Sequence, residues 1–217
     1  MSLADVSDDA LPGLKVVSAP KLFLPALARA LTDAARSFGP PASMRMVRIR
    51  HRKGERAGIH AEFDFNCPDG KMLPASIWLH SAEKAARRGR KAAAGEAPGA
   101  PVYEPGSGAL IYFFPSDPFV PEISKFVSDP QRFGALLLKR VAAPSSAPEL
   151  ARFRPGVGAT FRWGDAGRPG VFVKIQKDCD ARTEFGLLED MHAASAGKSF
   201  SVPRPIGFCE EINALAM

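Results

Sequence analysis

Cysteine is scarce in this 217-residue sequence: Cys67, Cys179 and Cys209 are the only three, and none forms a CxxC pair. An odd count without paired spacing excludes a disulfide framework, points to no zinc site and reads as reduced thiols. Histidine is nearly as rare, and His51, His60, His80 and His192 show no paired ligand spacing, so no metal site is expected. No uninterrupted apolar run approaches the roughly 20 residues that span a bilayer. The opening MSLADVSDDALPG carries acids and no basic stretch, so a cleaved secretory leader is not expected and the expected compartment is the cytoplasm. Ser145-Ser146 has no base near it in sequence, which leaves a nucleophilic serine without support.

What remains is a soluble, globular composition, 46% apolar and 24% charged, long enough for one large domain or two small ones. The net charge of +6 lies wholly in residues 1–140, with 20 Lys/Arg against 14 Asp/Glu; residues 141–217 balance at nine of each. Arg45, Arg48, Arg50, Arg52, Lys53 and Arg56 form one basic cluster, and Lys84, Arg87, Arg88, Arg90 and Lys91 another. Each reads first as a solvated strand or helix face and second as a surface for phosphates or nucleic acid.

The hydrophobic pattern orders the chain. Leu24, Leu27, Ala28, Leu31 and Ala35 recur at helical spacing over 21–38, with Pro25 in a first turn and Gly39-Pro40-Pro41 as the stop. Alternation then predicts an antiparallel meander of strands near 44–52, 57–66 and 72–80, broken at Lys53-Gly54 and Pro68-Asp69-Gly70. An alanine-rich basic helix follows over 81–94, a Gly/Pro-rich loop over 95–108, and an apolar strand over 109–114. Residues 115–121 read as a turn, and Asp129-Pro130 as the cap and first residue of a helix to about 140. The AAPSSA stretch at 142–147 reads as the best linker. Strand-like runs at 150–163 and 170–176, a helix near 180–194 and short strands at 204–209 and 212–217 complete the chain.

This gives an α+β chain with four parts: a helical segment 1–42, an α+β unit 43–114, a helical connector and linker 115–148, and a last α+β unit 149–217. The order of three strands then a helix occurs in both units. Arg52-Lys53-Gly54-Glu55-Arg56-Ala57 stands in one and Arg154-Pro155-Gly156-Val157-Gly158-Ala159 in the other. The first unit is then a degenerate copy of the second, with Leu79 or His80 near the place of Lys174, or the likeness of two basic hairpins is chance.

The chemistry-bearing pattern lies in 149–217. Val171-Phe172-Val173-Lys174-Ile175 places a lysine near the end of an otherwise apolar strand, and Glu184 opens the next helix as EFGLLEDMH. A lysine on an inner strand can reach phosphate oxygens, and a helix carboxylate can hold its flexible ammonium in place. The Gly156/Gly158 hairpin, running on to Thr160, would let backbone N–H groups approach those phosphates; the plainer reading gives both glycines to turn geometry. Lys174 is otherwise a strand-end lysine reaching water, and Glu184 competes with Glu189 five residues on. His192 and Glu189 read as a solvated i,i+3 pair.

These residues resemble the amino-terminal lobe of the aminoglycoside-phosphotransferase-like kinases, the group that includes maltokinases and choline-type kinases. VFVK resembles the family's third strand, EFGLLEDMH its E-x-x-x-L helix, and Val202-Pro203-Arg204-Pro205-Ile206-Gly207 the segment before its fourth strand. Arg152–Gly156 and Phe114–Pro121 are similar to the words RxRPG and FPxDPxxP of some bacterial members. The resemblance implies a protein-kinase-like lobe, an antiparallel five-stranded sheet with one helix, in 149–217. It implies ATP with Mg²⁺ as cofactor, with Lys174 on the phosphates, Glu184 as its partner and Gly156, Gly158 and Thr160 in the covering hairpin. The acceptor would be a hydroxyl of a sugar, an aminoglycoside or a similar small molecule.

The family's H-G-D-x-x-x-x-N loop and later metal-binding Asp have no match among the 217 residues. No catalytic residue and no metal ligand is therefore assigned, and turnover is not expected from these residues alone. A second, non-enzymatic reading makes the chain a binding module whose basic first half meets an acidic partner or RNA. The lack of aromatics interleaved with the basic clusters counts against nucleic acid.

Overall fold

A computed structural model describes residues 8–33, 39–66, 70, 72–81, 83–87, 100–138, 143–165, 170–178 and 180–217. The chain is α+β and divides into two compact units, Met1–Ser116 and Asp117–Met217.

The first unit opens with α1 (Gly13–Val17) and α2 (Pro20–Asp33). Strands β1 (Ser43–Arg52), β2 (Arg56–Asp64) and β3 (Leu73–His80) follow. A short helix at 83–87 (α3) precedes β4 (Val102–Glu104) and β5 (Ala109–Phe113). The five strands form one antiparallel sheet in the order β1-β2-β3-β5-β4. Alternation puts Ala57, Ile59, Ala61 and Phe63 on one face of β2 and Ala75, Ile77 and Leu79 on the same face of β3. That face packs against Leu14, Val17, Phe23, Leu27 and Leu31 of the two helices, so residues 8–33 belong to this unit's core.

The second unit repeats the plan. It has α4 (Glu122–Ser128) and α5 (Pro130–Leu137), then β6 (Glu149–Arg154), β7 (Gly158–Trp163) and β8 (Val171–Gln176). Helix α6 (Ala181–Ala194), β9 (Gly207–Cys209), a 3-10 turn (Glu210–Ile212) and β10 (Ala214–Ala216) complete it. The sheet order is β6-β7-β8-β10-β9, again all antiparallel. Phe126 of α4 lies 5.0 Å from the Phe161 ring and 5.8 Å, edge-on, from Trp163, which closes the core beneath this sheet.

Three boundaries differ from the sequence reading. The 115–121 turn leads straight into α4, a helix flanked by Pro121 and Asp129-Pro130 and short enough to carry little periodicity. The described part of the expected linker is docked on the second unit. Trp163 Nε1 donates to the Ser146 carbonyl at 2.7 Å, the Ser145 and Ser146 N–H groups donate to Asp165 at 3.1 Å, and Gln131 Nε2 donates to the Pro144 carbonyl at 2.7 Å. Residues 117–138 and 143–147 therefore fold with the second unit, and the division falls at 116/117. Helix α2 starts at Pro20, which leaves Pro25 inside the helix rather than in its first turn. Residues 34–38, 88–99, 139–142 and 166–169, with Cys67 and Cys179, lie outside the described residues, so the ends of three expected helical segments are not placed.

The repeat extends to single residues. Across the first sheet, Arg50, Gly58, Trp78, Leu110 and Tyr103 stand in one row; across the second, Arg152, Thr160, Lys174, Leu215 and Phe208 do. Each edge strand carries one β-bulge, between Met46 and Arg48 and between Leu150 and Arg152. Each following hairpin has a glycine in the left-handed region, Gly54 at φ 73° and Gly156 at φ 70°. Trp78, not Leu79 or His80, holds the place of Lys174. Its ring lies over Gly58, where an added Cβ would stand 2.6 Å from it.

Candidate functional site

The outer face of the second sheet gathers the candidate residues. Inward, β7 and β8 bury Ala159, Phe161, Trp163, Val171, Val173 and Ile175. Strand parity then turns Thr160, Arg162, Phe172 and Lys174 outward. Lys174 is directly opposite Thr160 on β7 and Leu215 on β10. Its Nζ forms a partly buried ion pair with Glu184 Oε1 on α6. Glu189, the competing acid, is exposed farther along the helix. At this burial the pair's net contribution to stability is small, and its consequence is orientation: a flexible ammonium is held over the sheet face.

Helix α6 is fixed at its start. Asp180 caps it by accepting from the Arg182 N–H at 3.2 Å and from the Thr183 hydroxyl. These bonds, the Thr183 hydroxyl first, hold the Asp180 carboxyl below its ordinary value. Asn213 accepts from the Ala181 N–H at 3.0 Å and donates from its side-chain amide to the Gln176 carbonyl. With φ at 46°, Asn213 stands in the left-handed conformation that asparagine tolerates better than most residues. One residue thereby ties the end of β8, the start of α6 and the entry to β10. It sets where Lys174 and Glu184 meet, and its sequence signal, a lone Asn after a Glu-Glu turn, is too common to single out. Farther along, Phe185 stacks obliquely on Phe208 at 5.3 Å, and Arg182 pairs with Glu210 at 2.7 Å.

The hairpin is a tight turn. Val157 N–H donates to the Arg154 carbonyl at 2.9 Å across Pro155-Gly156, and the positive φ of Gly156 at the third position is that of a type II turn. Gly156 donates its own N–H to Asp117 Oδ2 at 2.7 Å. Gly158 lies so close to β8 that an added Cβ would stand 2.1 Å from the Ile175 carbonyl oxygen. The plain role of turn and close packing is therefore visible for both glycines.

Asp117, from the segment FPSDPFVP, is buried, and burial raises its pKa above the ordinary carboxylate value against the N–H bonds and the Lys177 charge that lower it. The first unit repeats this device. Asp8 Oδ2 accepts from the Gly54 N–H at 2.8 Å and meets His51 Nε2 at 2.7 Å, which together hold the Asp8 carboxyl low. Sequence reasoning grouped FPxDPxxP with the hairpin word only by resemblance; the hydrogen bond gives the physical reason.

The other candidates are placed apart. His192 Nδ1 donates to the Val202 carbonyl at 2.8 Å, which is a structural bond rather than a solvated pair with Glu189. Among the described residues, no group of three or more His, Cys, Asp or Glu is gathered for a metal ion. None of the described helices is long and apolar enough to cross a membrane.

The sequence reading did not pick out as site residues Arg152, Arg154 and Arg162, all exposed on the Lys174 face. None of them makes an ion pair among the described residues. The alternation in Arg152-Phe153-Arg154, with Phe153 buried, could have revealed two of them. Beside Arg162 the phenyl ring of Phe172 is exposed. No protein-family model, curated protein or solved structure matches the chain.

Proposed function

We propose that the second unit is the nucleotide-binding part of an ATP-dependent phosphotransferase that phosphorylates a hydroxyl of a small molecule such as a sugar or aminoglycoside. The observation that carries this reading is the Lys174–Glu184 ion pair on the outer sheet face, between the third strand of the sheet and the helix that follows it. The sheet order, with its one helix between the third and fourth strands, is the arrangement expected of a kinase-like amino-terminal lobe. The fit to ATP rests on the chemistry of the face. A positioned lysine, a hydroxyl at Thr160 and three arginines that make no ion pair among the described residues suit a polyphosphate, and an exposed ring at Phe172 suits a nucleobase. Lys174 would meet phosphate oxygens and Glu184 would hold it there, while Gly156 and Gly158 shape the hairpin at the rim. Mg²⁺, when bound, would balance phosphate charge with ligands supplied from outside these residues.

The test is Mg-ATP titration by calorimetry on the full chain and on Lys174→Ala and Glu184→Gln. Lys174→Ala is expected to remove binding, and Glu184→Gln to weaken it while the fold, read by circular dichroism, is kept. A wild-type chain that does not bind Mg-ATP, or a Lys174→Ala chain that binds it equally, overturns the reading.

A second reading rests on the first unit. Arg48, Arg50, Arg52 and Arg56 share the outer face of β1 and β2, and Arg48, Arg50 and Arg56 make no ion pair among the described residues. Such a ladder suits an acidic partner or RNA, and binding that falls steeply with salt and ignores Lys174→Ala is its signature.

A further inference from the structure

From the donors around the hairpin we infer that phosphate is read in the second unit by a row of side chains, Arg152, Thr160 and Lys174, and not by the backbone of the glycine hairpin. This rests on the nucleotide reading above and names how that same site takes its ligand.

The backbone N–H groups of the loop are the first donors an anion would meet. Pro155 has none. Gly156 donates to Asp117 at 2.7 Å, and Val157 donates to the Arg154 carbonyl at 2.9 Å. Gly158 is paired on both sides, with Arg154 and with Gln176. No N–H of residues 155–157 is left for an incoming anion. A buried carboxylate already occupies the one concave donor position, and the first unit fills the matching position with Asp8. The repetition marks the clamp as part of the architecture of both units.

Lys174 by itself does not balance a polyphosphate. Its charge is matched by Glu184, so the pair is neutral toward a ligand as a whole. Further cations are needed on the same face, and the register supplies them. Arg152 is opposite Thr160, and Thr160 is opposite Lys174. With strands spaced at about 4.8 Å, the Cα atoms of Arg152 and Lys174 stand roughly 10 Å apart across the Thr160 hydroxyl. Two long cationic side chains can converge over that gap on a chain of phosphates.

Alternation with the buried Phe153 turns Arg152 outward. Leu150 pairs with Phe161 and Phe153 with Ala159, both on the inward side, and the bulge between Leu150 and Arg152 supplies the extra residue that this needs. A guanidinium is charged at every accessible pH and offers a planar fork that matches phosphate oxygens in pairs. Arg152 is exposed and makes no ion pair among the described residues, so its guanidinium is presented to a ligand. The first unit keeps the arginine of this row, Arg50, but has Gly58 and Trp78 in place of the hydroxyl and the lysine. By the same logic it lacks the row.

The experiment compares Arg152→Gln, Arg152→Lys and Lys174→Ala in the full chain, titrated calorimetrically with ATP, ADP, AMP and adenosine. Arg152→Gln is expected to weaken ATP by about 10- to 100-fold, the range for a charged hydrogen bond. The loss should shrink from ATP to AMP and vanish for adenosine, and Arg152→Lys should recover part of it. If Arg152→Gln binds ATP as the wild type does while Lys174→Ala loses it, the row is overturned and the nucleotide reading stands. If the variant loses adenosine as much as ATP, Arg152 does not read phosphate and the inference falls. If neither variant changes ATP binding, the nucleotide reading itself fails and takes the row with it.

Discussion

Asp117 accepts the Gly156 N–H at 2.7 Å on one carboxylate oxygen and the Phe119 N–H at 2.8 Å on the other, tying the segment that leads into α4 to the hairpin between β6 and β7. The two residues are 39 apart in sequence, and this bond fixes the hairpin from below. Asp117→Ala leaves two half-buried N–H donors without their acceptor, which costs about 1–3 kcal/mol. Asp117→Asn keeps an acceptor oxygen and is expected to lose less. Thermal unfolding of the two variants checks this, and unchanged melting in Asp117→Ala would show the clamp to be incidental.

Gly158 and Gly186 separate a glycine that is needed from one that is not. A methyl group at Gly158 meets the Ile175 backbone oxygen at 2.1 Å, and backbone cannot step aside as a side-chain end can. Gly158→Ala should therefore destabilise by about 1–3 kcal/mol, as overpacking does. Gly186, in the middle of α6, has nothing within 4 Å of an added Cβ. Gly186→Ala should stabilise by about 0.5–1 kcal/mol through helix propensity. Urea melts of both variants give the signs. Equal effects would mean that the close approach of β7 to β8 relaxes freely.

How far the sequence discloses this fold depends on whether a feature is local. Lys174 and the start of the following helix are legible because strand parity and helix capping are short-range patterns. The meander of β1 to β3 and the Asp129 cap are legible for the same reason. The choice of Glu184 over Glu189 as the partner of Lys174 is only what the resemblance implies. Helices α1 and α4 are too short, and too close to proline, to show a period.

The repeat is faint because positions in the sheets correspond while residue types do not. Trp78 stands for Lys174 and Gly58 for Thr160, and the hairpin words alone retain a likeness. Arg152 takes the side opposite the buried Phe153 by plain alternation, but that Leu150 shares the inward side with Phe153 depends on the bulge, which only pairing to β7 sets. The Asp117–Gly156 and Asn213–Ala181 bonds join distant segments, so only the folded chain brings them together.

Asp180 ties the pH response of the second unit to its candidate site. Its carboxylate caps the first turn of α6, one helical turn before Glu184, and its pKa is held below the ordinary value of 3.8 chiefly by the Thr183 hydroxyl. An acid with a lowered folded pKa contributes stability above its unfolded value, and that contribution is lost as pH falls through the folded one. The wild-type chain should therefore lose this part of its stability only below the ordinary aspartate range. Asp180→Ala, which removes the cap at any pH, should lower stability at neutral pH. The difference between the two proteins should close as the pH drops below that range, because protonation removes from the wild type what the substitution has already removed. Urea melts of both chains from neutral pH downward test this directly. A difference that stays constant into acid would place the effect of the substitution in helix propensity or packing and leave the Asp180 charge without a part in fixing α6.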